Sequence, residues 1–194
     1  MRRRKVNKIF KIGRDDLANH LIEYKAILRT QMTVIIKKII KAIKKALSNI
    51  SDDKEKILFF NLNLADYQRY LCEISVVKES KQEIIIECEK TYLKLIQMFE
   101  DQFISKVNPC RVTTLYHYTI FLYEICNRKN DAIDKLKQYH QEIIENLDTA
   151  FKVYLETYDL LNIITDNLTN WIINRNSLSG INPSLDNEQE LVKL

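Results

Sequence analysis

The chain has 194 residues, of which 46% are apolar and 29% charged, so it can bury the core of one domain. It contains only two glycines and two prolines, about 2% of the chain against an ordinary share of roughly 12%, which excludes sandwiches, barrels, Rossmann folds and glycine-rich phosphate loops. The net charge is only +4, but the charges are unevenly distributed. Residues 1–50 hold fourteen of the thirty Lys and Arg residues and only three of the twenty-six acidic residues. This asymmetry indicates an anionic partner or a solvated lysine face.

The first fifty residues predict two helices. A short amphipathic helix covers residues 4–12 and is expected to end at Gly13. Asp15 or Asp16 can cap the next helix, in which apolar residues recur at helical spacing as far as Leu47. This helix of about 30 residues is longer than an average globular helix and suits a bundle or a solenoid.

Five further helices follow, separated by polar turns. Ser51 to Asp53 are predicted to form a turn and a helix cap. Pro109, which follows Asn108, is expected in the first turn of a later helix. The predicted ranges are 54–76, 81–103, 110–126, 131–147 and 153–174. Together these patterns predict an all-α, antiparallel bundle or solenoid of about seven helices, forming one domain over residues 1–176 and a flexible tail over 177–194.

Residues that could carry catalysis or a metal are scattered. The four cysteines form no C-x-x-C pair and are expected to be reduced, mostly buried thiols; they are Cys72, Cys88, Cys110 and Cys126. The three histidines are isolated in the sequence; they are His20, His117 and His140. We therefore expect no enzymatic activity, no cofactor and no metal. The N-terminus lacks a signal-peptide pattern and no apolar run is long enough to span a membrane, which predicts a cytoplasmic or nuclear protein.

Residues 66–73 combine an arginine with two acids on one helix face. Asp66, Arg69, Tyr70 and Glu73 are spaced three and four apart, so they are neighbours on that face. This spacing fits either an intrahelical ladder of ion pairs or an arginine that carboxylates hold in position to meet an oxyanion.

Residues 166–171 place an asparagine one turn before the only tryptophan. Asn167 and Trp171 lie four apart, although asparagine is a poor helix former. The pair is either a core tryptophan beside a hydrogen-bonded asparagine, or an amide that binds the backbone of an extended peptide.

Taken together, several such motifs resemble the 14-3-3 family. They occur in the family's order from about Tyr24 to Trp171, and include Asp-Tyr-x-Arg-Tyr-Leu-x-Glu at 66–73, Asn-Pro-Cys-Arg at 108–111, a Phe-x-Tyr-Glu-Ile run at 121–125, Leu-Asp-Thr at 147–149 and Asp-Asn-Leu-Thr-x-Trp at 166–171. The resemblance implies a cytoplasmic adaptor that binds phosphoserine or phosphothreonine peptides of client proteins in a concave, basic groove and regulates those clients in signal transduction.

The resemblance also implies site residues. Arg69 and Tyr70 match the second arginine and the tyrosine of the phosphate pocket, and either Arg3 or Arg4 matches the first arginine. The residues that match the peptide-binding groove are His117, Glu124, Leu160, Ile163, Asn167 and Trp171.

Several positions depart from the family pattern. His117 stands where the family has an asparagine, Tyr116 replaces the preceding leucine, and Leu62 replaces a groove lysine. The pocket lysine and the family's first two helices would precede Met1, so we expect them to be missing, which leaves homodimerisation open.

Two other functions stay open. A scaffold of the same fold could bind unphosphorylated partners through a degenerate pocket. The lysines of residues 37–45 could instead bind nucleic acid or an anionic membrane, although they share a helix with a wide apolar face and are better explained as its solvated side.

Overall fold

In a computed structural model, residues 2–75, 78–147 and 155–178 are described, with side chains for 16–75, 81–147 and 155–177. These residues form six α-helices and no strand, which confirms the predicted all-α fold class. The helices are α1 Arg2–Ser48, α2 Lys54–Ile74, α3 Lys78–Asp101, α4 Pro109–Ile120, α5 Lys129–Leu147 and α6 Leu155–Leu178.

The predicted helix break at Gly13 is wrong. Helix α1 runs without interruption through that residue, so the two N-terminal helices expected from the sequence are one helix of 47 residues. A single glycine inside a helix costs only about 1 kcal/mol relative to alanine, which is too little to end a helix that its neighbours favour.

Capping residues explain where two of the helices begin. The Asp53 side chain accepts a hydrogen bond from the Lys56 backbone N–H at the start of α2. At the start of α4 the Asn108 side chain accepts from the backbone N–H groups of Cys110 and Arg111, and Pro109 occupies the first turn, where its missing N–H costs nothing. Both starts agree with the sequence predictions.

Helix α4 continues directly into a π-helical turn, Phe121–Ile125. In this turn the backbone N–H of Cys126 donates to the Phe121 carbonyl oxygen at 3.1 Å. Asn127 follows with a φ of 54°, a left-handed conformation that asparagine tolerates well. A π turn of this kind shifts the direction of the side chains that follow it, and such turns are frequent near functional sites.

Each helix packs mainly on its neighbours in sequence, and α6 also contacts α4. The main core cluster contains fully buried residues from α2 to α6, among them Cys72, Cys88, Phe121, Leu136 and Leu168. A second cluster joins α2 to α3. Helices α2, α4 and α6 therefore share one core, which fixes the relative positions of the side chains they carry.

Helix α6 extends to Leu178, slightly beyond the start of the predicted tail at residue 177. Residues 179–194, the rest of that predicted tail, lie outside the described residues. Within the described ranges, no helix combines the length and the apolar character that a bilayer crossing requires.

Candidate functional site

Arg69 lies on α2 between two carboxylates, as its spacing from Asp66 and Glu73 predicts. Its Nη1 donates to Glu73 Oε1 at 2.7 Å, and its Nη2 lies 3.9 Å from Asp66 Oδ1. The guanidinium carbon also lies 4.6 Å from the centre of the Tyr70 ring, within cation–π range. Three neighbours on the same helix therefore hold the guanidinium in one position.

The Arg69 guanidinium is buried but keeps unused hydrogen-bonding capacity. Only 8% of the residue is exposed, and its buried Nε has no hydrogen-bond partner among the described residues. Burial acts to lower the pKa of Arg69, but Tyr92, Asp66 and Glu73 raise it above the ordinary value. The side chain is therefore a fixed positive charge, and its unpaired Nε–H is enclosed by the protein.

Asp66 connects α2 to two other helices. Its Oδ1 accepts a hydrogen bond from the Tyr92 hydroxyl of α3 at 2.9 Å. His117 Nδ1, from α4, lies 2.8 Å from Oδ1 and 3.1 Å from Oδ2 of the same carboxylate. His117, a predicted groove residue, is thus brought next to the Arg69 site, and its Nδ1 is already hydrogen-bonded.

Tyr116, the residue before His117, extends these contacts to α6. Together Arg69, Asp66, His117, Tyr116 and Asn167 form a row of residues across α2, α4 and α6. Asn167 Nδ2 donates a hydrogen bond to the Tyr116 hydroxyl. Burial raises the pKa of Tyr116 and the Glu124 carboxylate adds to that effect, whereas the hydrogen bond from Asn167 and the charge of Arg69 oppose it. The charges of Arg69 and Glu124 therefore act on a hydroxyl that Asn167 already binds.

The Trp171 indole packs on the π turn. Its ring stacks on the Tyr123 ring at 4.1 Å between centroids and 6° between planes, and Lys129 Nζ lies 5.3 Å from the centre of the Tyr123 ring. Trp171 is 6% exposed. A buried tryptophan beside a hydrogen-bonded asparagine is one of the two interpretations that the sequence leaves open, and the other requires a peptide to reach Asn167.

Helix α6 also carries the predicted groove residues Leu160 and Ile163. Leu160 is half-buried against the main core, and Ile163, one turn before Asn167, is 47% exposed. The substituted position Leu62 is partly buried against the second core cluster.

The first arginine of the predicted phosphate pocket is not described. The backbone of residues 3 and 4 belongs to α1, but the side chains of Arg3 and Arg4 lie outside the described residues. The structure therefore places the α2, α4 and α6 parts of the candidate site and not its α1 part.

Two aromatic residues of this site escape sequence reasoning. Tyr92 holds Asp66 from α3, and Tyr123 stacks on Trp171 from the π turn. Each pairing joins residues far apart in the sequence, and no local motif signals it.

A protein-family model described as 14-3-3 protein matches residues 2–172. The chain belongs to the 14-3-3 family. It is similar to 14-3-3-like protein GF14 phi of Arabidopsis thaliana (27% identical over 160 residues) and to 14-3-3 protein 3 of Solanum lycopersicum (26% over 160). Each alignment covers 82% of this chain and 59% or 61% of the relative. It is also similar to 14-3-3 protein beta/alpha of Xenopus tropicalis, 26% identical over 176 residues, which are 90% of this chain and 71% of that protein.

The chain thus spans about three fifths of the length of the two plant relatives. The row of residues from Arg69 to Asn167 lies on the helices that the family match covers.

Proposed function

We propose that this chain is an adaptor that binds phosphoserine or phosphothreonine peptides of client proteins at the row of residues formed by α2, α4 and α6. The observation that carries the proposal is the charge of Arg69, which Asp66, Tyr70 and Glu73 hold in one position on α2. A phosphate monoester carries about −1.5 to −2 charges and three acceptor oxygens, which a guanidinium fork can bind bidentately.

Arg69 alone does not supply enough positive charge. Asp66 and Glu73 both lie within 4 Å of its guanidinium, so the immediate surroundings of Arg69 carry two negative charges against one positive charge. A doubly charged phosphate needs a further cation to overcome that repulsion. In this proposal Arg3 or Arg4, with Tyr70, completes the phosphate pocket.

His117 and Asn167 are the proposed contacts to the peptide main chain. The hydrogen bond to Asp66 uses His117 Nδ1, which directs the peptide to Nε2. The Asn167 amide nitrogen donates to Tyr116, which directs a peptide N–H to the amide oxygen. In this proposal Glu124, whose charge acts on the Tyr116 hydroxyl, is a groove acid, Leu160 and Ile163 form the apolar wall, and Trp171 supports the flank of the peptide.

The second candidate is a scaffold that binds unphosphorylated partners. It is favoured by the internal bonds that already engage the site, since Arg69 pairs with Glu73 and Asn167 with Tyr116. In that case the peptide would meet a surface whose polar groups are mostly satisfied, and phosphate would add little affinity.

Fluorescence polarisation with one labelled peptide, phosphorylated or not, distinguishes the two candidates. We expect Arg69→Ala to abolish binding of the phosphopeptide and Arg69→Lys to weaken it, because lysine keeps the charge but loses the fork. Arg128→Ala is the matched control, because the Arg128 guanidinium pairs with Glu89 and Asp131 instead.

Unchanged phosphopeptide affinity in a folded Arg69→Ala variant would contradict the proposal. Equal affinity of the wild type for both forms of the peptide would favour the scaffold. Circular dichroism confirms that the variants compared are equally helical.

We also propose that the partner of the N-terminal part of α1 is a second copy of the chain. Large apolar residues on this helix are more than half exposed, including Leu17, Leu21, Tyr24 and Ile27. A contiguous apolar surface of this kind marks a protein-binding site. Homodimerisation within the 14-3-3 family supports this choice of partner.

A further inference from the structure

A groove lies at the C-terminal end of α2, between α1 and the start of α3. Helix α2 packs against both of these helices. The groove, here called the α1–α3 groove, has a volume of about 550 Å³. It is lined by Leu71, Ile74 and Ser75 of α2, by Ile84 of α3 and by residues of α1 between positions 26 and 37. A volume of this size is typical of a binding site for a small molecule.

The α1–α3 groove is separate from the candidate phosphate site. An α-helix turns by about 100° per residue, so Leu71, Ile74 and Ser75 lie about 120–160° around α2 from Arg69. The residues that line the groove include no member of the row from Arg69 to Asn167. A ligand in this groove would therefore leave the candidate phosphate site open.

The base of the α1–α3 groove is apolar. Leu71 is buried, Ile74 and Ile84 are half-buried, and Val34 of α1 is 49% exposed. An apolar chain that lies along these side chains would remove them and itself from water, which favours binding. The base of the groove therefore suits a hydrocarbon chain.

The hydroxyl groups of the α1–α3 groove have already used their protons. Thr30, Thr33 and Ser75 each donate a hydrogen bond to the carbonyl oxygen four residues earlier in the chain, at distances between 2.7 and 3.0 Å. A hydroxyl has only one proton to donate. The strong hydrogen-bond donors that the walls can offer a ligand are therefore the charged side chains.

The charged side chains of the α1–α3 groove are both positive. They are Arg29, which is half-buried, and Lys37, which is exposed, and no acidic residue lines the groove. In the part of the chain whose side chains are described, neither cation has an ion-pair partner. A guanidinium fork matches the two oxygens of a carboxylate. The groove therefore complements an anion.

The position of the two cations fits an extended ligand. Arg29 and Lys37 are eight residues apart on α1, which corresponds to about 12 Å along the helix axis. Apolar surface lies at the same level, and the walls contain no aromatic ring on which a nucleic-acid base could stack. An apolar chain with an anionic head matches this arrangement better than a nucleotide does.

We propose that the α1–α3 groove binds an amphipathic carboxylate of the fatty-acid class. The carboxylate pairs with the Arg29 guanidinium, and the hydrocarbon chain covers Leu71, Ile74 and Val34. Lys37 adds positive potential at the other end of the groove. This site does not depend on phosphopeptide binding, because it uses the other side of α2.

Isothermal titration of the whole chain with three probes tests the proposal. Decanoate has the chain and the negative head, decyltrimethylammonium has the same chain with a positive head, and acetate has the head without the chain; each is used below its micelle concentration. We expect saturable binding of decanoate, at least about tenfold weaker binding of the cation, and no binding of acetate. Equal affinity for the two long-chain probes, or no saturable binding of decanoate, would overturn the proposal.

Two substitutions place the bound chain in the α1–α3 groove. Arg29→Gln should weaken decanoate binding at least about tenfold, because it loses the charged fork. Lys38→Gln is its matched control, since Lys38 is exposed on the same helix and does not line the groove. Ala26→Phe fills the groove and should also weaken binding, whereas Ala42→Phe, at an exposed alanine of α1 outside the groove, should not.

Unchanged decanoate affinity in either folded groove variant would put the bound chain elsewhere and refute the assignment. Circular dichroism checks that each variant is as helical as the wild type. Because the comparison of the three probes uses only the wild type, it tests the proposal even if a variant fails to fold.

Discussion

The ion pair between Arg69 and Glu73 offers a test in which a substitution should improve binding. Glu73 Oε1 accepts from Arg69 Nη1 at 2.7 Å, so it occupies one prong of the fork that a phosphate would use. Glu73→Gln removes the negative charge and keeps an oxygen that can accept the same hydrogen bond. If Arg69 binds phosphate, this variant should bind a phosphopeptide more tightly than the wild type does.

The size of the gain follows from the charges and the exposure of Glu73. With the guanidinium between them, a phosphate dianion and the Glu73 carboxylate would lie about 7 Å apart, which corresponds to a repulsion of roughly 1 kcal/mol in a medium like water. The dielectric of water is the suitable choice because the Glu73 side chain is 39% exposed. Removing this repulsion corresponds to roughly fivefold tighter binding. Glutamine at position 73 can still accept the hydrogen bond from the buried Arg69, and Asp66 still lies beside the guanidinium, so the variant should stay folded.

Isothermal titration with matched phosphorylated and unphosphorylated peptides measures this gain. The fivefold increase in the affinity of Glu73→Gln should appear only with the phosphorylated peptide, and it should shrink as added salt screens the charges. Glu87→Gln is the control, because Glu87 pairs with Lys44 on α1 and not with Arg69. Weaker phosphopeptide binding by Glu73→Gln, or an equal gain with both peptides, would refute the assignment of Arg69 to the phosphate.

Two further predictions concern stability and assembly. Burial lowers the pKa of His140, whose ring hydrogen-bonds to the Thr165 hydroxyl. The contribution of this group to the stability of the fold is therefore fully present above its unfolded-state pKa of about 6.5. As pH falls below that value the contribution is lost, by at most about 1.4 kcal/mol per pH unit. His140→Gln should therefore flatten the decline in urea stability between about pH 7.5 and about pH 5.5, and an equally steep decline in the variant would assign the effect to other groups. For the proposed dimer, light scattering should give twice the 23.1 kDa chain mass for the wild type and the monomer mass for Leu21→Lys. Leu93→Lys, at an exposed leucine of α3, is the control and should stay dimeric. A monomeric wild type would count against a second copy as the partner.

The fold was predictable because its signals are local. Scarce glycine and proline, apolar residues at helical spacing and capping residues such as Asn108 act within a few residues of one another. The same holds for the ladder of Asp66, Arg69 and Glu73, whose members are neighbours on any helix that contains them. Gly13 was misjudged because a propensity of about 1 kcal/mol is a weak signal inside a long helix.

The tertiary part of the site was not predictable in the same way. Tyr92 lies 26 residues from the Asp66 that it binds, and the Asp66–His117 pair spans 51 residues. Such pairs depend on how α2, α3 and α4 pack, and a single sequence carries no record of that packing.

Tyr116 and His117, which differ from the residues expected from the family resemblance, each bond to another helix. Tyr116 accepts a hydrogen bond from Asn167 of α6, and His117 bonds to Asp66 of α2. A leucine and an asparagine at these positions could not reproduce this pair of contacts, because leucine has no polar atom to accept from Asn167. The substitutions therefore link α2, α4 and α6 directly through side chains of this chain. In the proposed peptide site, helices linked by these hydrogen bonds have less freedom to rearrange around a ligand, so the preference among peptides should depend on shape at His117 and Asn167 as well as on the phosphate.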